Sequence, residues 1–192
     1  MKCPQCKEIV NNNRFCTRCG QPILIKLPYK LYSPRPILFE EALDYYTFGK
    51  YSESEKILLD LVIKRPEEAE YHNLLGCIYL KQQKYNLAIL HLEKAIELSP
   101  HCWPQYYNLG IIYSMQKKYQ LAKIYFRKTL QIKEDHYQSL YNLGTIFLKE
   151  GQYEKAVKAF LKVRDLAPYH INSHVNLKLA VKKLNNQWRD NL

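Results

Sequence analysis

Four cysteines near the start of the chain, Cys3, Cys6, Cys16 and Cys19, form two Cys-x-x-Cys pairs separated by nine residues. Each pair can wrap a tight turn around one side of a tetrahedral ion, and four thiolates fill every position of such a site. No position then stays open for water or substrate. The chemistry predicted is structural binding of zinc, with iron in a sulfur-only site as the alternative. A redox role for a Cys-x-x-Cys pair explains less, because it uses only half of the quartet. Gly20, directly after the second pair, suits a backbone that must turn with positive φ; Lys7 holds the equivalent place in the first.

The stretch between the pairs, Glu8 to Phe15, reads as a short strand, an asparagine-rich turn at Asn11, Asn12 and Asn13, and a second strand that brings the pairs face to face. Residues 1–22 thus resemble a short zinc ribbon. So short a segment buries too little apolar area to fold alone, and metal binding, worth roughly 10–16 kcal/mol in comparable peptides, is expected to hold it. Residues 23–34 follow as a proline-containing linker.

Beyond the linker the chain keeps a beat of 34 residues. Tyr51, Tyr85, Tyr119 and Tyr153 mark it, with Gly76, Gly110 and Gly144 in a second column and Ala88, Ala122 and Ala156 in a third. Such a rhythm predicts stacked structural units in place of one globular core. Four units follow, 35–68, 69–102, 103–136 and 137–170, each with two helices, because apolar residues recur at helical spacing in Leu75, Ile78 and Tyr79 and again in Ala88, Leu92 and Ala95. Small residues where the paired helices cross let their backbones approach closely. Pro66, Pro100 and Pro168 mark unit ends. Residues 171–188 read as a final capping helix with Val175, Leu179 and Leu184 on its apolar side and Trp188 docked near its end.

Asn-Leu-Gly-x-x-Tyr at 108–113, with Ala122, Phe126 and the 34-residue period, makes residues 35–170 resemble tetratricopeptide repeats. The first unit departs from the pattern at Ala42 and Ser54, and the third at Thr129 and Glu134. The resemblance implies an all-α, right-handed solenoid of antiparallel helix pairs whose first helices line a concave groove. It puts Phe39, Asn73, Tyr107, Tyr141 and Val175 in one groove column and Asn108, Asn142 and Asn176 beside it. A ladder of amides can bond the backbone of an extended peptide whatever its side chains. Asparagine before Leu-Gly is also common in such repeats, where it ties neighbouring helices together, and the sequence supports both roles. The positions at which some relatives hold a chaperone's terminal carboxylate carry Phe39, Leu43, Leu74, Pro104 and Asn108, which excludes that partner.

No phosphate-binding loop, His-Glu-x-x-His helix or Gly-x-Ser-x-Gly elbow is present, so an enzyme is not expected. His136 and His170 share a unit-end column with Cys102 and are read as exposed turn residues; His72 and His174 are read as packing residues; Cys77 and Cys102 as buried or idle thiols. Lys and Arg outnumber Asp and Glu by 29 to 18. Lys81, Lys149, Lys182 and Lys183 near the groove rim favour an acidic partner. Nucleic-acid association through the basic ribbon, with Arg14, Phe15 and Arg18, is the alternative function. Met1-Lys2-Cys3-Pro4 predicts no secretory leader, no segment is apolar for long enough to span a bilayer, and a cytoplasmic protein-binding scaffold is the expectation.

Overall fold

The computed structural model describes residues 37–190. The cysteine quartet, the expected ribbon at 1–22 and the linker at 23–34 lie outside the described residues. Within them every regular element is a helix: α1 (Ile37–Thr47), α2 (Tyr51–Lys64), α3 (Ala69–Lys81), α4 (Tyr85–Leu98), α5 (Trp103–Met115), α6 (Tyr119–Ile132), α7 (Tyr137–Lys149), α8 (Tyr153–Leu166) and α9 (Ile171–Asp190). Of the described residues, those up to Asn108 form one compact unit and those from Leu109 a second. In the first, α1 pairs antiparallel with α2 and α3 with α4; in the second, α7 pairs with α8, and α9 packs on α8.

One turn is built four times. Gly49, Gln83, Lys117 and Gly151 each adopt φ between 60° and 75°, the left-handed value that ends a helix. The next amide then reaches back five residues, from Lys50 to the Tyr45 carbonyl, Lys84 to Tyr79, Lys118 to Tyr113 and Gln152 to Phe147, at 2.8–2.9 Å. With the bonds from the Gly49, Gln83, Lys117 and Gly151 amides to the Tyr46, Leu80, Ser114 and Leu148 carbonyls, this is a Schellman closure, and its usual apolar contact is here a lysine laid over a ring. The ammonium groups of Lys50, Lys84 and Lys118 sit 5.7, 5.6 and 6.0 Å from the ring centroids of Tyr45, Tyr79 and Tyr113. In the fourth turn, where Gln152 replaces the lysine, Lys155 covers Phe147 at 5.9 Å.

The helix crossings explain the small-residue columns. A Cβ on Gly76 would stand 2.6 Å from Leu92 Cγ, on Gly110 2.6 Å from Phe126 Cε1, and on Gly144 2.7 Å from Phe160 Cε1. Ala88, Ala122 and Ala156 are fully buried opposite. Phe160 is itself sealed in the core, so its ring has nowhere to go. We therefore expect Gly144→Ala to cost about 2 kcal/mol in urea unfolding, the usual range for overpacking; a change below about 0.5 kcal/mol would show that α7 and α8 can move apart freely.

The departures of the first and third units are accommodated locally. Ser54 stands where alanine is usual, yet its hydroxyl donates to the Ala42 carbonyl at 2.7 Å and is fully buried. Thr129 returns its hydroxyl to the Tyr125 carbonyl at 3.0 Å. The final helix differs from expectation. Its buried side carries Ser173 and Ala180, while Val175, Leu179 and Trp188 are 58%, 43% and 70% exposed. The reason is register: Ser173 and Ala180 lie 34 residues after the buried Ser139 and Ile146 of α7, so α9 turns inward the same side as α7.

Candidate recognition face and buried polar sites

The groove column divides in two. Phe39 and Asn73 are buried, with 3% and 4% of their surface exposed, and the Phe39 ring lies 5.0 Å from Tyr71. These two belong to the core of the first unit and offer little to a ligand. Tyr107 and Tyr141 are half-buried, and Val175 is exposed.

Two of the three ladder asparagines are tied to the preceding first helix. Asn108 Nδ2 donates to Cys77 Sγ at 3.3 Å, linking α5 to α3, and Asn176 Nδ2 donates to the Tyr141 hydroxyl at 3.2 Å, linking α9 to α7. Burial pushes the Cys77 thiol up to about 11, against the opposing pull of Lys81 and of the Asn108 bond. A thiol so held stays protonated at neutral pH and is a poor nucleophile. Asn142 is half-buried on α7, and among the described residues its amide has no hydrogen-bond partner. Beside it, the Tyr141 ring meets the His170 imidazole edge-on at 4.8 Å, which fixes the tyrosine's direction.

Three polar arrangements escaped the sequence reading. His136, expected at the surface, is 1% exposed and caps α7. Its Nδ1 accepts the Ser139 amide at 3.3 Å and lies 2.8 Å from the Ser139 hydroxyl, so the capping ring must be neutral at that nitrogen. Burial, with Lys133 assisting, brings the imidazole down to about 3. The only signal in the sequence is a histidine followed three residues later by a hydroxyl, which is weak. The second arrangement joins α6 to the end of α7. Lys123 Nζ reaches both Glu150 oxygens at 2.9 and 2.6 Å, and Gln120 and Gln152 each donate to the same carboxylate at 3.3 Å. The third is a pair of histidines, His72 and His91, with ring nitrogens 3.1 Å apart. His72 is buried, as a packing residue should be, although its neighbours are polar.

Lys81, Lys149, Lys182 and Lys183 are exposed. No described helix is long and apolar enough to cross a membrane. Among the described residues no group of three or more His, Cys, Asp or Glu is placed to hold a metal.

The arrangement is shared with known proteins. Among curated sequences, a 54-residue segment is 37% identical to cell division cycle protein 27 homolog A of Arabidopsis thaliana; it makes up 28% of this chain and 8% of that protein's length. Among solved structures, a MamA crystal structure superposes with a TM-score of 0.71 at 22% identity, over 80% of this chain and 87% of that one. MamA residues 41 to the end from Desulfovibrio magneticus RS-1 give 0.67 at 19% identity over 78% and 90%. YrrB, reported as a TPR protein with an unusual peptide-binding site, gives 0.65 at 20% identity over 73% of each chain. At these identities the likeness concerns the fold. The tetratricopeptide repeat model matches residues 69–102, 103–136 and 137–170, together more than half of the chain. This chain belongs to the tetratricopeptide repeat family.

Proposed function

We propose that the chain is a non-catalytic adaptor that takes up a peptide or helix of a partner protein on the exposed side of its first helices. The observation that carries this reading is Asn142: a half-buried amide with no hydrogen-bond partner among the described residues, next in sequence to the fixed Tyr141, with the exposed apolar Val175 on α9. An amide so placed can bond a peptide backbone on both sides while the tyrosine and valine receive a side chain. Peptide binding by a similar fold, as reported for YrrB, supports the class of partner. The exposed Lys182 and Lys183 on the same helix favour an acidic sequence. Zinc held by Cys3, Cys6, Cys16 and Cys19 belongs to the same proposal and rests on their spacing alone.

The structure sharpens the test, because the ladder residues do not share one role. A partner captured on the immobilised full chain and identified should bind Asn142→Ala about fivefold more weakly, the loss of roughly one net hydrogen bond, with the melting temperature unchanged. Asn108→Ala should instead act mainly on stability, through its lost tie to Cys77. Unchanged affinity in Asn142→Ala would discard the face. A steep fall of binding with salt, and capture of generic duplex DNA, would point to phosphate contacts instead.

A further inference from the structure

We propose that His72 and His91 form a two-imidazole site for a divalent transition ion of the nickel, copper or zinc class, with water completing its coordination. The site is a small constellation on one hairpin. His72 projects from α3 and His91 from α4, and their Nδ1 atoms face each other at 3.1 Å with the rings stacked at 5.3 Å between centroids. Two adjacent ligands that each sit about 2.0–2.1 Å from one ion are themselves roughly 2.9 Å apart at a right angle and roughly 3.4 Å apart in a tetrahedron. The observed separation falls between these limits, and an ion enters once both rings turn so that their nearly head-on lone pairs converge on one point.

The surroundings leave a lone pair for an ion. His72 Nε2 lies 3.0 Å from the Pro66 carbonyl, to which only an N–H can donate. That contact holds the proton on Nε2 and leaves the Nδ1 lone pair facing His91, which is the outer contact typical of a metal-bound histidine. Glu55 is near enough to act on His91 and adds the negative field a cation prefers. His91 is half-buried, so solvent and ions reach it, whereas His72 is buried behind it. Imidazole pairs suit nickel, copper and zinc more than magnesium or calcium, which take oxygen. A bound ion would pin α3 to α4 beside the Gly76 crossing.

The experiment adds nickel ion to the full chain carrying one equivalent of zinc, enough for the cysteine quartet alone, and follows the imidazole proton signals by NMR. Nickel is paramagnetic, so the resonances of the rings that hold it broaden first. Broadening of His72 and His91 at sub-stoichiometric nickel, ahead of the exposed His101, supports the site. His91→Gln should then weaken nickel binding by at least the roughly 10- to 100-fold that loss of an outer contact alone costs, and His101→Gln should leave it unchanged. If His72 and His91 broaden no earlier than His101, the site does not exist. The wild-type spectrum decides this by itself should His91→Gln fail to fold.

Discussion

Lys123→Met is expected to destabilise the second unit by about 3 kcal/mol, the scale of a buried ion pair broken from one side. The side chains of Lys123 and Glu150 are only 8% and 18% exposed, which sets this pair apart from the Lys158–Glu154 pair, at 73% and 69%. The exposed pair is screened by water and contributes little. In the buried one, the ammonium meets both carboxylate oxygens and also lies 5.8 Å from the Phe147 ring centroid. Methionine fills the aliphatic space but leaves Glu150 charged, with the two glutamine amides as its remaining donors among the described residues. Lys123→Met with Glu150→Gln removes that stranded charge and should recover most of the loss. Urea unfolding of the two single variants and the double closes the cycle. A single-variant loss below about 1 kcal/mol would class the pair with ordinary surface bridges.

Between pH 7 and 4.5 the wild type should lose roughly 2 kcal/mol more stability than His136→Asn. The sign follows from the capping geometry. The folded chain holds His136 neutral, with its proton affinity brought from 6.5 to about 3, whereas the unfolded chain protonates it normally. The unfolded state therefore binds more protons in this window. Stability is fully present above about 6.5 and drains away as pH falls towards 3. Asparagine caps a helix with its own carbonyl and does not titrate over this range. Carboxylates titrate in both proteins and cancel in the comparison. His91 and His170 are shifted in the same direction, mainly by burial, and remain in both. Parallel acid profiles for the two proteins would show that His136 is not the acid-sensitive cap.

The helix pairs could be read from the chain because period and side-chain size are local properties. Gly76, Gly110 and Gly144 announce a close crossing by their spacing, and Leu92, Phe126 and Phe160 fill the space that they leave. The polar chemistry was less legible. Glu150 lies 27 residues after Lys123, a distance that neither helical period nor unit length singles out, and the two meet only once α6 is packed on α7. His136 looked like an exposed turn residue because it falls at a unit end, yet it is buried beneath the start of α7. Phe39 and Asn73 show the same limit from the other side: a shared column gives a shared direction, while exposure depends on what the next layer places over it. The last helix adds a lesson about pattern. Val175 and Leu179 look like core by type, but the register inherited from α7 turns the smaller Ser173 and Ala180 inward.

The whole chain has two tryptophans, and they fall on opposite sides of the division within α5: Trp103 in the first unit, half-buried, and Trp188 in the second, 70% exposed. Removing either indole leaves an intrinsic fluorophore confined to one half of the protein. Trp188, open to water near the end of α9, supplies a red-shifted emission that soluble quenchers can reach, so melting in the two halves can be recorded separately without attaching a dye.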